Sequence, residues 1–181
     1  MTLLVGLDLS LRCTGYAYAD SGSGVTVGRI KPPTKMRGVE RLLWIEGALL
    51  SALPNMPSVV VIEDYAMGAK GRVFHIGEWG GVARLALYRR GNCATHTASP
   101  STIKQAVTGN GNAKKDRMLR EVRTLFPGLM ITDDNEADAL AALVVAGAMT
   151  NADFLPPSAI PRDAMKLETL FTPSPRRRVR V

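Results

Sequence analysis

Three acidic side chains come at the ends of segments that the sequence pattern assigns to the core. Asp8 follows the first apolar run, Glu63 follows the β-branched run 59–62, and Asp138 comes early in the last apolar helix. A charged group at the edge of a buried sheet is costly unless it is paired or bound to a metal ion. No basic residue adjoins Asp8 or Glu63, and no histidine or cysteine cluster accompanies them, so the pattern favours a hard cation, Mg²⁺ or Mn²⁺. Two such ions about 4 Å apart could clamp the attacking and leaving oxygens of a phosphodiester. Taken alone, each carboxylate is more often a turn or cap residue, so this hypothesis depends on all three together.

Further acidic and amide groups come at the start of the last predicted helix. Asp133 and Glu136 have the spacing of a capping box, which predicts structural roles for both. Asp134 and Asn135 precede Asp138 by four and three residues, so either could share its helix face. Each is therefore a candidate for a fourth metal ligand, and the helix geometry leaves the choice between them open.

Basic residues outnumber acidic ones by 23 to 16, which gives a net charge of +7. This balance favours a polyanionic partner, most often nucleic acid, although solubility alone is the simpler explanation. Lys104, Lys114 and Lys115 flank the glycine-containing loop 109–111, which could bind a phosphate. The arginines at 176–178 form either a solvated tail or a set of sequence-independent phosphate contacts. The predicted DNA-binding side chains are Lys70, Arg72, Lys104, Lys114, Lys115, Arg117, Arg176, Arg177 and Arg178.

The elements that must position these side chains follow from the hydrophobic pattern. Alternating or β-branched runs predict strands, and a stripe at helical spacing predicts each helix. The resulting order, βββαβαβ followed by helices, predicts an α/β fold with a mixed five-stranded sheet and helices on both faces. The predicted strands are 3–9, 14–19, 25–30, 58–62 and 93–97, and the predicted helices are 37–53, 72–90, 100–109, 113–126 and a last one from 133.

The chain divides by composition into residues 1–154, one folded domain, and residues 155–181, a proline-rich basic tail that we expect to be extended or loosely ordered. The longest apolar helical stretch, 139–149, is too short to span a bilayer. The N-terminus lacks the pattern of a secretory signal, and the two cysteines are typical of reduced, buried thiols. We therefore expect a cytoplasmic protein that does not associate with membranes.

Four segments, in order, resemble the RuvC-type Holliday junction endonucleases. Residues 6–16 (GLDLSLRCTGY) are similar to the family's opening Gly-x-Asp strand and Thr-Gly pair, and residues 61–65 (VIEDY) to its second acidic strand. Residues 99–115 (SPSTIKQAVTGNGNAKK) resemble its most distinctive stretch, and residues 135–141 (NEADALA) its last motif. The resemblance covers roughly residues 3–150.

The resemblance implies a ribonuclease-H-like fold and a homodimer that makes paired cuts in four-way and other branched DNA. It implies two Mg²⁺ ions in each site, with Mn²⁺ as a substitute. Asp8, Glu63 and Asp138 match the family's metal-binding carboxylates, and Lys104 and Lys115 match its active-site and DNA-contacting lysines.

Two further features of the family map onto this chain. Tyr65 is nearest to the aromatic residue that the family inserts into the junction. The predicted helix 72–90 corresponds to a helix that the family uses for dimerisation. Its three glycines, which indicate close packing against another element, are Gly77, Gly80 and Gly81.

The chain departs from the family at Asn135, where the family has Asp or His. An amide oxygen can bind Mg²⁺ but carries no charge, and positional equivalence favours Asn135 over Asp134 as the fourth ligand. The form of residues 133–138 (DDNEAD) resembles bacteriophage members, which predicts a phage source. Two alternatives stay open: another ribonuclease-H-like nuclease, acting on RNA, and a junction-binding protein that does not cleave.

Overall fold

The structure is a computed structural model that describes residues 2–54, 57–64, 73–91 and 93–171; for residues 73–76, 91 and 171 it describes the backbone. Six strands and five helices follow one another in this part of the chain, with a single 3₁₀ turn at Arg162–Ala164. The strands are β1 (Leu4–Asp8), β2 (Thr14–Asp20), β3 (Gly24–Ile30), β4 (Val59–Glu63), β5 (Ala94–Ala98) and β6 (Leu167–Phe171). The helices are α1 (Gly38–Ala52), α2 (Val73–Gly91), α3 (Pro100–Thr108), α4 (Lys115–Leu125) and α5 (Asp134–Thr150).

All six strands form one mixed sheet in the order β3-β2-β1-β4-β5-β6. The predicted antiparallel meander of the first three strands is confirmed, and β1, β4 and β5 run parallel to one another. The prediction of five strands is wrong, because β6 pairs antiparallel with β5 at the sheet edge. This strand, LETLF, lacks a clear apolar–polar alternation and lies within the segment whose prolines and basic residues predicted a tail.

Side chains of the central strands alternate between two cores, one on each face of the sheet. Leu4 and Val61 pack with helices α3, α4 and α5, whereas Val5 and Ile62 pack with α1 and α2. Helix α5 is buried over most of its length, as its nearly continuous apolar sequence predicts. The predicted arrangement of helices on both faces is therefore confirmed. No helix in the described residues is long and apolar enough to cross a membrane.

Two glycines allow α5 to lie directly on the sheet backbone. A Cβ atom at Gly6 in β1 would collide with the carbonyl oxygen of Ala139, and one at Gly15 in β2 would collide with that of Asn135. Both obstacles are helix backbone, which cannot move aside as a flexible side chain can. The absence of side chains at these two positions therefore allows α5 to lie close to β1, which ends at Asp8, and to β2, which follows it.

Residues 155–171, the first part of the predicted tail, pack against the rest of the fold. The backbone N–H of Ala159 and the hydroxyl of Ser158 donate to the carbonyl of Ala106 in α3, at 2.6 and 3.1 Å. Leu155 and Met165 are buried. The expectation of an extended or loosely ordered segment is wrong for these residues, and the division of the chain at residue 154 stays a prediction.

We expect Gly15→Ala to lower the free energy of unfolding by about 3 kcal/mol, because the added methyl group overpacks against the α5 backbone. Chemical denaturation measures the change. Gly47→Ala in α1 is the matched control, since a Cβ atom there meets no neighbouring element of the described structure within 4 Å. It should leave stability unchanged or raise it by up to about 1 kcal/mol. Equal stability of the two variants would contradict the close approach of α5 at Gly15.

Candidate active site

The structure brings the three predicted carboxylates to one end of the sheet. Asp8 is the last residue of β1 and Glu63 is the last residue of β4, and these neighbouring parallel strands pair Leu7 with Ile62 just before them. Asp138 belongs to the second turn of α5, whose first turn lies over β2. All three side chains are half-buried. Two strand ends and one helix start therefore converge on a single point at the edge of the core.

Burial raises the pKa of each of these carboxyl groups, and the negative charge of Asp138 adds to the rise at Asp8 and Glu63. The pKa of Asp8 rises to about 7, through burial first and the negative charge of Asp138 second. The pKa of Glu63 rises to about 8 for the same reasons, with Asp8 adding to the repulsion by Asp138. Burial raises the pKa of Asp138 to about 6, against the opposing effect of Lys115. The negative charge of the cluster is thus incompletely compensated, and a bound cation would neutralise it.

A cleft of about 180 Å³ opens beside the carboxylates. Its acidic lining comes from β4 and α5, and its basic lining comes from α3 and α4. Lys104 is half-buried in the cleft wall, whereas Lys115 is largely exposed at the rim. The charged residues that line the cleft are Glu63, Lys104, Lys115, Asp134 and Asp138.

Lys115 and Asp134 form an ion pair across this cleft. The Lys115 Nζ donates to Asp134 Oδ2 at 2.8 Å, and this hydrogen bond is the main cause of the raised pKa of Lys115. Nineteen residues separate the two, so spacing along the chain could not reveal the contact. Because the pair is exposed, its contribution to stability is small, and its main effect is to hold the lysine at the rim.

Asn135 contacts Asp8 through a hydrogen bond that the sequence reasoning missed. With its amide oriented to satisfy its neighbours, the Asn135 nitrogen donates to Asp8 Oδ2 at 3.1 Å and to the Cys13 carbonyl at 3.0 Å. The close approach of α5 to Gly15 brings the amide to this position. The Asn135 nitrogen therefore holds one oxygen of Asp8 in place. The assignment of Asn135 as a metal ligand stays a prediction.

The donor chemistry of the cluster fits the implied divalent cation, although the side chains are not prearranged around one. Carboxylate and amide oxygens are the ligands that Mg²⁺ and Mn²⁺ prefer. In the described part of the chain, no three His, Cys, Asp or Glu side chains are arranged to hold a metal ion. Binding at Asp8, Glu63 and Asp138 would thus require their side chains to turn toward a common point.

The predicted capping box at the start of α5 is confirmed. The Asp133 side chain accepts from the backbone N–H of Glu136 at 3.1 Å, and the Glu136 side chain accepts from the backbone N–H of Asp133 at 3.4 Å. Arg29 of β3 forms an ion pair with Asp133. These residues anchor the helix that carries Asp138, and they lie outside the lining of the cleft.

The remaining predicted DNA-binding residues fall into two groups. Lys114 is exposed just before α4, and the Arg117 guanidinium donates to the carbonyl of Thr108 at 2.8 Å, which ties α4 to the end of α3. The residues that lie outside the described part of the chain are Tyr65, Lys70, Arg72, Arg176, Arg177 and Arg178.

Comparison with known proteins gives one consistent family. The family model described as "Crossover junction endodeoxyribonuclease RuvC" matches residues 4–148. A protein of that name from Acidiphilium cryptum is 33% identical over 147 residues, which are 78% of this chain and 87% of that protein. One from Chloroflexus aurantiacus is 31% identical over 147 residues, covering 77% and 89%.

Solved structures agree in fold. The RuvC structure from Thermus thermophilus matches with a TM-score of 0.67 at 20% identity, over 83% of this chain and 97% of that one. RuvC from the same organism in complex with Holliday junction substrate also gives 0.67, at 21% identity, over 79% and 91%. The predicted ribonuclease-H-like fold is confirmed.

We expect the metal-free protein to lose stability as the pH rises from 5 to 9. Carboxyl groups of the unfolded chain ionise near pH 4, whereas the folded chain keeps protons on Asp138, Asp8 and Glu63 up to about pH 6, 7 and 8. Between these values the unfolded state is the more deprotonated, so raising the pH favours unfolding. Denaturation in EDTA at several pH values measures the effect.

Glu63→Gln should reduce that loss by about 2 kcal/mol. The rise in the pKa of Glu63 from 4.5 to about 8 corresponds to about 5 kcal/mol at about 1.4 kcal/mol per pKa unit, and we take about half of it because the side chain is only half-buried. Glu46→Gln, which replaces a carboxyl group of α1 away from the cleft, should leave the pH profile unchanged. A parent protein that is equally stable at pH 5 and pH 9 would contradict the burial of uncompensated carboxylates.

Proposed function

The chain belongs to the RuvC family of crossover junction endodeoxyribonucleases, and we propose that it resolves four-way DNA junctions, and cuts related branched DNA, by paired phosphodiester hydrolysis. The observation that carries this proposal is the convergence of Asp8, Glu63 and Asp138 beside a cleft that also contains two lysines. Carboxylates that bind cations, next to side chains that attract phosphate, are what hydrolysis of a phosphodiester requires.

Each group in the cleft has a distinct task in this proposal. Asp8, Glu63 and Asp138 would hold two divalent ions, Mg²⁺ or Mn²⁺, which when bound supply an activated water and neutralise charge on the phosphate. Lys104 projects from the cleft wall and stabilises negative charge that develops on the phosphate oxygens. The Asn135 amide holds Asp8 in one orientation through its nitrogen, and we propose its oxygen as the fourth ligand.

Lys115 can exchange its ion pair with Asp134 for a contact with a DNA phosphate. Its ion pair with Asp134 is exposed to solvent, so a DNA phosphate can replace the carboxylate at little cost. Asp134 then acts by positioning Lys115 at the rim in the free protein. Further backbone contacts are proposed for Lys114, Arg117, Lys70, Arg72, Arg176, Arg177 and Arg178, with Tyr65 entering the junction.

We further propose a homodimer, because paired cuts across a two-fold symmetric junction need two active sites. Helix α2 supports this proposal with an exposed stripe that contains Gly77, Gly81, Leu85 and Tyr88. The sequence indicated close packing at the glycines of this helix, yet among the described residues a Cβ atom at Gly77 or Gly81 meets nothing within 4 Å. A second copy would supply the missing neighbour.

The source and setting are also proposals. The residues 133–138, with an amide at Asn135, support a bacteriophage protein that acts in the cytoplasm of its bacterial host.

The proposal predicts that Asp8→Asn, Glu63→Gln and Asp138→Asn each reduce junction cleavage by more than about a hundredfold, because each removes a charged ligand. All three should still bind the junction, since the lysines are intact. Cleavage of a labelled synthetic four-way junction with Mg²⁺ measures the first effect, and gel shifts in EDTA measure the second. A linear duplex is the substrate control and Glu46→Gln the protein control.

Parent protein that cuts linear duplex and junction equally would contradict a junction-resolving enzyme. Loss of junction binding together with cleavage would show that a carboxylate supports folding rather than chemistry.

A separate set of variants distinguishes Asn135 from Asp134 as the fourth ligand. Asn135→Ala should slow cleavage roughly 10- to 100-fold, because it removes the hydrogen bond to Asp8 as well as the ligand oxygen. Asn135→Asp should keep activity and reach half-maximal rate at a lower Mg²⁺ concentration, since a charged oxygen replaces a neutral one. Asp134→Asn should cost less than Asn135→Ala.

Titration of the cleavage rate against Mg²⁺ measures all three variants, with Asp116→Asn on the surface of α4 as the control. If both Asn135 variants behave like the parent while Asp134→Asn is inactive, Asp134 is the ligand and the assignment to Asn135 is wrong.

A further inference from the structure

A second basic surface, separate from the cleft, is formed by residues that the sequence analysis did not assign to DNA binding. It is an open groove of about 660 Å³ between the β1–β2 loop, the segment that joins β3 to α1, and the first turn of α1. We call it the 12–41 groove. Its lining residues lie within segments 11–12 and 31–41.

All the charged residues that line the 12–41 groove are basic. Arg12, Lys31, Arg37 and Arg41 contribute four positive charges, and Glu40, the acidic residue in the first turn of α1, is not among the lining residues. None of the four forms a salt bridge with an acidic side chain within residues 2–54, 57–64, 73–91 and 93–171. The groove therefore has a positive charge that the described chain leaves unneutralised.

Hydrogen bonding fixes Arg37 in the groove wall, and Arg41 is half-buried in the same lining. Arg37 donates to the carbonyls of Thr34 and Met36, which fixes the turn that forms one wall. The Nε of Arg41 is buried and has no hydrogen-bond acceptor among the described residues.

The groove lies at the end of the sheet where β1 ends at Asp8. Arg12 belongs to the loop that leads directly from Asp8 to β2, and Lys31 follows Ile30, which pairs with Thr14 at the start of β2. The Cys13 carbonyl in the same loop accepts the hydrogen bond from Asn135. The groove borders α1 on one face of the sheet, whereas Lys104 and Lys115 belong to helices on the other face.

We propose that the 12–41 groove binds backbone phosphates of the DNA arm next to the scissile phosphate. This inference rests on the proposed function for its substrate. The groove exceeds the size of one phosphate, and its cations are spread along two chain segments, so it suits a run of phosphates rather than a single anion. Its contacts hold the DNA without touching the reacting atoms, so they affect affinity and its dependence on salt rather than the rate on bound substrate.

The double variant Arg12→Gln/Lys31→Gln tests the groove without disturbing the hydrogen bonds of Arg37. Fluorescence anisotropy with a labelled four-way junction in EDTA, over a range of NaCl concentrations, gives log Kd against log salt. The slope should fall by nearly 2, because each lost phosphate contact removes about 0.9. Affinity at 100 mM salt should fall at least tenfold, while single-turnover cleavage at saturating protein with Mg²⁺ should stay within twofold of the parent.

The matched control is Lys35→Gln/Lys166→Gln, which removes the same charge from exposed positions outside the groove. It should keep nearly the parent slope. A groove variant with the parent slope, or one no different from this control, would overturn the proposal even if the parent resolves junctions.

The same titration with a 20-base-pair linear duplex separates this proposal from the proposed function. If the parent neither prefers nor cleaves junctions, the function is wrong. A smaller duplex slope for the groove variant would then still support phosphate binding by the 12–41 groove, and an unchanged duplex slope would overturn that as well.

Discussion

The close contact between α5 and the backbones of β1 and β2 is the constraint on which the site depends. Without side chains at Gly6 and Gly15, helix backbone lies directly on strand backbone, and the first turns of α5 reach the end of β1. This contact brings Asn135 to Asp8 and Asp138 to the same end of the sheet. The capping box and the Arg29–Asp133 ion pair then fix where the helix begins, so the position of the active site follows from packing in the core.

The carboxylate cluster shows a stability cost that function explains. Burial raises the pKa of all three half-buried acids, repulsion by Asp138 adds to the rise at Asp8 and Glu63, and the nearby lysines offset only part of it. A sequence selected for stability alone would place apolar or neutral side chains at these strand ends. The same concentration of negative charge would attract the divalent ions that we propose for this site.

Most of the fold could be predicted from the sequence because its signals are local. The apolar runs of β1 to β5, the nearly uniform apolar surface of α5 and the spacing of Asp133 with Glu136 each lie within one segment of chain. The misses depend on contacts between distant segments: the pairing of β6 with β5, the ion pair of Lys115 with Asp134, and the amide of Asn135 on Asp8. The 12–41 groove was missed for the same reason, since its cations come from two loops that only the folded sheet brings together.

The position of β6 has a consequence for how the protein is made. Ala98 of β5 pairs with Leu167 of β6, about 70 residues further along the chain. At a synthesis rate of about 5–20 residues per second, the outer edge of β5 waits roughly 4–14 s on the ribosome for its partner. During that interval the nascent chain presents an unpaired strand edge, which can add a strand from any neighbouring chain in the same polysome. Release of the last residues therefore ends a period of exposure to misassembly, and β6 protects the sheet edge without forming any part of the cleft.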